Sequence, residues 1–105
     1  MSRLTNTDMV CRKHVDELAG SDRRAVAIDL ARQARNIEYQ DRDRASAASR
    51  ALMRSIQDEA GENSLSRKDA NALVAKIKKH VRSAYEWKGY AIAYRRYADE
   101  LAQQR

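Results

Sequence analysis

The stretch ANALVAKIKKHVRSAYEWKGYAIAYRRYADEL, residues 70–101, decides the fold. Counted in sevens, it gives one register of Ala70, Ile77, Ala84, Ala91 and Ala98 and a companion of Leu73, His80, Trp87, Tyr94 and Leu101. A seven-residue repeat keeps one face of a helix in phase over many turns, so the stretch reads as a single long helix with a narrow, alanine-rich seam. The phase passes Gly89 without a slip. Gly89 is therefore read as an interior helical glycine, at a cost of about 1 kcal/mol relative to alanine, with a hinge there as the alternative.

A matching register lies upstream: Ala27, Ala34, Asp41, Ala48 and Ser55, with Leu30, Ile37, Arg44 and Ala51 beside it. If the chain folds back near Glu62 and Asn63, Ala27 meets Ala98, Ala34 meets Ala91, Asp41 meets Ala84 and Ala48 meets Ile77. Small residues then face small ones, which predicts a long antiparallel helical hairpin of helices of roughly 35 residues, about 50 Å at 1.5 Å per residue.

Capping residues set the boundaries. Thr5 with Asp8, or Thr7 alone, caps a first short helix over about residues 7–19, because a side-chain oxygen there accepts an orphaned backbone N–H; Gly20 ends it. Ser21 and Asp22 restart the chain as a long helix over about 22–60, and Gly61 within EAGENSLS breaks it. After a turn at about 61–66, Ser66 and Asp69 form a capping box for a helix over about 67–103, with Leu65 stapled against Ala70.

Composition agrees with this reading. The chain of 105 residues has no proline and three glycines. It is rich in residues that lose little freedom in a helix, so the expected class is all-α, a single helical domain over 1–105. A net charge of +6 favours acidic partners, either nucleic acid or an acidic protein surface. Cys11 has no intrachain partner, which excludes a disulfide framework and suits a reducing compartment. With no signal-type apolar run and no stretch of 18 apolar residues, the expectation is a soluble cytoplasmic protein without membrane contact.

The register separates two flanks of the hairpin. One is apolar: Ile28, Ala31, Ala45, Leu52 and Ile56 with Val74, Val81, Tyr85 and Ile92. The short first helix is expected to cover part of it, and a homodimer of four-helix-bundle type, or a partner protein, the remainder. The other flank is polar and basic, with Gln33, Asn36, Gln40, Arg50, Arg54 and Gln57 facing Lys76, Lys79, Tyr90 and Tyr97.

Three groups of candidate residues follow. Arg50, Arg54, Lys76, Lys79 and Arg82 form a basic patch suited to phosphate, whose binding draws on counterion release and needs no sequence code. Tyr85, Lys88, Tyr90, Arg95, Arg96 and Tyr97 form an aromatic and basic surface able to stack on bases or anchor a protein, while Trp87 and Tyr94 belong to the seam. Asp41, Arg44 and His80 interrupt the seam as a polar layer that holds register.

His14 lies on a different helix from His80, and with one cysteine no metal-ligand spacing arises. No phosphate loop, nucleophile elbow or HExxH occurs. Neither a cofactor, a small-molecule substrate nor enzymatic activity is expected. The leading expectation is a non-enzymatic helical binding or regulatory protein contacting nucleic-acid backbone. The alternative is a protein-binding adaptor or inhibitor acting through the apolar and tyrosine surfaces.

Overall fold

Three helices carry the described chain: α1 (Asn6–Leu18), α2 (Arg23–Gln57) and α3 (Arg67–Gln103). The computed structural model describes residues 4–18, 20, 22–57 and 65–104, and no strand occurs among them. The all-α helical hairpin with a short N-terminal helix is what the heptads and caps predicted. The predicted turn lies outside the described residues except for Leu65 and Ser66, as do Ala19, Ser21 and Gly61.

Helix starts sit where the capping chemistry put them. Thr5 and Asp8 form a reciprocal box: the Thr5 N–H donates to Asp8 Oδ2 at 3.0 Å, and the Asp8 N–H donates to Thr5 Oγ1 at 3.1 Å. Asp22 Oδ1 accepts the Ala25 N–H at 3.1 Å, and Ser66 Oγ accepts the Asp69 N–H at 3.1 Å. Each contact satisfies a donor that the first turn of a helix leaves without a carbonyl.

The chain forms two compact units. One comprises Met1–Glu38 with Glu86–Arg105, and the other Tyr39–Tyr85. In the first, α1 joins the start of α2 and the end of α3 around a core of Cys11, Val15, Ala27, Ala34, Ala91, Ala93, Tyr94, Tyr97 and Ala98. Alanine methyls fill the α2–α3 seam, and the tyrosines and α1 supply the bulk.

In the second unit the later part of α2 lies beside the earlier part of α3. The direction is antiparallel, since Asp41 meets His80 and Ser83 while Ser55 accepts the Leu65 N–H. Its buried residues, among those described, are Asp41, Ala45, Ala48 and Ala84, while Leu52, Leu73 and Ile77 are half-buried. Met53, Ile56, Val81 and Tyr85 are exposed, Tyr85 to 78%. This unit therefore has no large apolar side chain sealed from water among its described residues.

That difference gives an expected order of opening. Backbone hydrogen bonds over a thin core open at lower free energy than those beneath buried aromatic rings. Amide hydrogen exchange should be slower at residues 27–34 and 91–98 than at 45–52 and 73–84; equal protection would contradict it. A second expectation concerns Gly89, which is helical, and a Cβ added there meets nothing within 4 Å. Gly89→Ala should raise stability by about 0.5–1 kcal/mol, read as a higher urea midpoint.

Candidate functional site

The tyrosines on α3 carry the α1 contact. Asp8 meets Arg96, and Arg12 pairs with Glu100; both steps advance four residues, so α1 runs parallel to α3. Beside these ion pairs the Cys11 thiol approaches the Tyr90 carbonyl at 4.0 Å, and His14 Nδ1 shares a hydrogen bond with the Tyr94 hydroxyl at 2.8 Å. The Tyr97 hydroxyl donates to Asp16 Oδ1 at 2.7 Å, and the Arg12 guanidinium lies 4.8 Å above the Tyr97 ring. Arg23, at the start of α2, closes the group by pairing with Asp16 at 3.7 Å.

This arrangement corrects two expectations. Tyr97 was expected on an exposed flank but is 5% exposed, and Tyr90 is half-buried with its ring edge-on to Trp87 at 5.3 Å. The short helix was expected over the apolar flank, yet it seats on the tyrosine-bearing one. A phenol buries its ring while its hydroxyl still finds a partner, and α1 brings both an apolar stripe and the carboxylate that accepts that hydroxyl. Tyr97 and Arg96 are thereby committed to holding α1. Lys88 remains exposed, and Arg95, exposed on another face, pairs with Asp99 at 3.4 Å.

Burial of these phenols favours their neutral form. The Tyr94 hydroxyl is pushed up to about 12, chiefly by burial, and that of Tyr97 is raised by burial and by Asp16. Burial likewise raises the Cys11 thiol, which favours its protonated form on the buried face of α1. For Asp8, burial is the largest influence and acts upward. The Thr5 hydrogen bonds together with Arg96 and Arg12 outweigh it, so the carboxyl lies below its usual range.

The predicted polar layer forms around Asp41. His80 Nδ1 lies 3.2 Å from Asp41 Oδ1, and the Ser83 hydroxyl donates to Oδ2 at 2.5 Å. The Ser83 bond is the main reason the Asp41 carboxyl is lowered, ahead of His80 and against burial. Arg44 was expected inside this layer. It instead reaches Asp41 from outside at 3.8 Å with its side chain 60% exposed, because a guanidinium stays in water when its stem allows it. The Ser83 contribution was not anticipated; its signal was a hydroxyl one turn beyond His80.

The basic patch lies on the second unit. Arg50, Arg54, Lys76, Lys79 and Arg82 are all exposed, and none has a carboxylate within ion-pair distance among the described residues. Residues 39–85 carry ten Lys or Arg against six Asp or Glu, whereas the rest of the chain carries eleven against nine; four of the six excess positive charges thus fall in this segment. Arg50 and Arg54 stand one turn apart on α2. Lys76, Lys79 and Arg82 follow at intervals of three on α3, so they wind as a band around it. In the first unit, by contrast, Arg12, Arg23, Arg35, Arg95 and Arg96 each have a carboxylate partner.

No group of three or more His, Cys, Asp or Glu that could hold a metal ion occurs among the described residues, and no helix there is long and apolar enough to cross a membrane. The buried carboxylates set the acid limit of the fold. Asp8 and Asp41 bind protons less readily folded than unfolded, so their stabilisation is complete above the unfolded value near 4 and is lost as pH falls through the folded values. The urea midpoint should therefore drop below about pH 4 in the parent and drop less in Asp8→Ala. At neutral pH Asp8→Ala should cost about 1–3 kcal/mol and speed modification of Cys11 by a thiol reagent. Comparison with protein-family models, with curated proteins and with solved structures finds no match for this chain.

Proposed function

We propose that this chain is a non-enzymatic helical binding protein that contacts nucleic-acid backbone through Arg50, Arg54, Lys76, Lys79 and Arg82. What supports the reading is one observation: five exposed cations on the Tyr39–Tyr85 unit with no acidic neighbour in reach among the described residues, in a chain that pairs most of its other arginines. An arginine already paired within the chain offers a polyanion less than an unpaired one. Unneutralised ones at helical spacing condense onto phosphates and release counterions, and the affinity is then set by charge and salt rather than by base identity.

Val74, Val81 and Tyr85 occupy one stripe of α3 in the same unit and are exposed. Their exposure supports a homodimer as the binding form, in which a second copy would cover them and double the basic surface. Sedimentation of the parent beside Val81→Glu reads this directly: a dimer mass lost in the variant is the expected result, and a monomer in both removes it.

The binding test is fluorescence anisotropy with labelled DNA and RNA, duplex and single-stranded, at about 50 and 200 mM salt. Binding that weakens steeply with salt is expected. The double variant Lys76→Glu/Lys79→Glu should reduce the duplex salt slope by about two with unchanged helicity. Failure to bind at the lower salt, or full binding by the double variant, would overturn the assignment.

A further inference from the structure

The first unit carries a notch on the side of α3 away from α1. Its floor is Ile28, Ala31 and Ala91, and its rim is Arg32, Arg35 and Arg95. The α1 contacts fall on Ala93 and Tyr97, and the notch on Ala91 and Arg95; two residues along a helix turn the surface by about 200°, so the two places are different faces. The notch measures about 220 Å³, below the roughly 300–1,000 Å³ of small-molecule sites. It has room for one or two side chains.

Its rim is three arginines, two of them paired within the chain. Arg32 has no carboxylate within ion-pair distance among the described residues. Arg35 spends one nitrogen on Glu38 at 2.8 Å, and Arg95 pairs with Asp99 while both stay more than half exposed. A guanidinium has five N–H donors, so each of these retains donors not spent on its carboxylate.

The chain itself displays what such chemistry accepts. On its other face the same hairpin holds α1, whose apolar residues Cys11 and Val15 enter the core while Asp8 and Asp16 pair with Arg96 of α3 and Arg23 of α2. The notch repeats that combination, a small apolar floor with arginines from both helices, and none of the described residues fills it. We infer that the Ile28–Ala31–Ala91 notch docks an amphipathic helix of a partner protein, with an aliphatic anchor on the floor and Asp or Glu on either side reaching Arg32, Arg35 and Arg95.

Charge selects this occupant over others. A second copy packed face to face would set arginine rims against each other in a chain of net charge +6. Nucleic-acid phosphate would meet the arginines but leave the apolar floor wet. A helix with acidic flanks satisfies both parts, in the groove-binding mode read as anchors one turn apart.

The test uses a fluorescein-labelled synthetic helix of about 18 residues, leucine on one stripe and glutamate beside it, with a twin in which every glutamate is lysine. The full chain should bind the glutamate helix and not the lysine twin. Arg32→Glu/Arg95→Glu should weaken the glutamate helix by about tenfold or more and gain the lysine twin. The milder Arg32→Ala/Arg95→Ala, checked for helicity, covers a folding failure of the first pair. With the helix bound, Cys11 should stay unreactive to a thiol reagent.

Four outcomes would each overturn the inference. They are no binding at about 50 mM salt, equal binding of both helices, exposure of Cys11, and chain-to-chain association that the groove variants weaken. Exposure of Cys11 would mean that the helix had taken the seat of α1. Weakened self-association would make a second copy the occupant.

Discussion

Everything in this molecule follows from methyl groups meeting methyl groups. Ala27, Ala34, Ala91 and Ala98 recur every seventh residue and are almost fully buried. A seam of such small side chains lets two helices approach closely, but each alanine removes little apolar surface from water. The hairpin must therefore find its bulk outside the seam. In the first unit it does so by standing Tyr90, Tyr94 and Tyr97 beside the seam and laying α1 over them. Among the described residues the second unit has no such cover, and Val74, Val81 and Tyr85 are exposed.

Much of this was legible in the residues, because caps and heptads are local statements. Thr5 with Asp8, Asp22, and Ser66 with Asp69 each announce a helix start through a single side-chain oxygen, and the alanine spacing announces the partner. Asp41 and His80 could also be matched from register alone, since one helix-to-helix offset fixes every facing pair.

The seat of α1 was not legible from hydrophobicity. An apolar stripe of Cys11 and Val15 is satisfied equally by Ile92 or by a tyrosine ring, and only the polar tips decide between them. The deciding signal was a charge ladder: Asp8 and Arg12, four apart, match Arg96 and Glu100, four apart with the signs reversed. Opposite charges stepping together fix both the face and the parallel direction, a pattern that apolar periodicity averages away. Arg44 misled for a related reason, since its heptad position is internal while its long stem carries the charge outward.

Buried alanines also set what the chain can tolerate. A larger side chain at Ala27, Ala34, Ala91 or Ala98 has nowhere to go and would force the helices apart, whereas most flank positions face open solvent and accept almost any polar residue. The molecule thus resembles a zip with a few rigid teeth on loose cloth. Selection on the fold bears on a small set of rungs, and the chemistry of the cloth, including its arginines, is left to be shaped by whatever it touches.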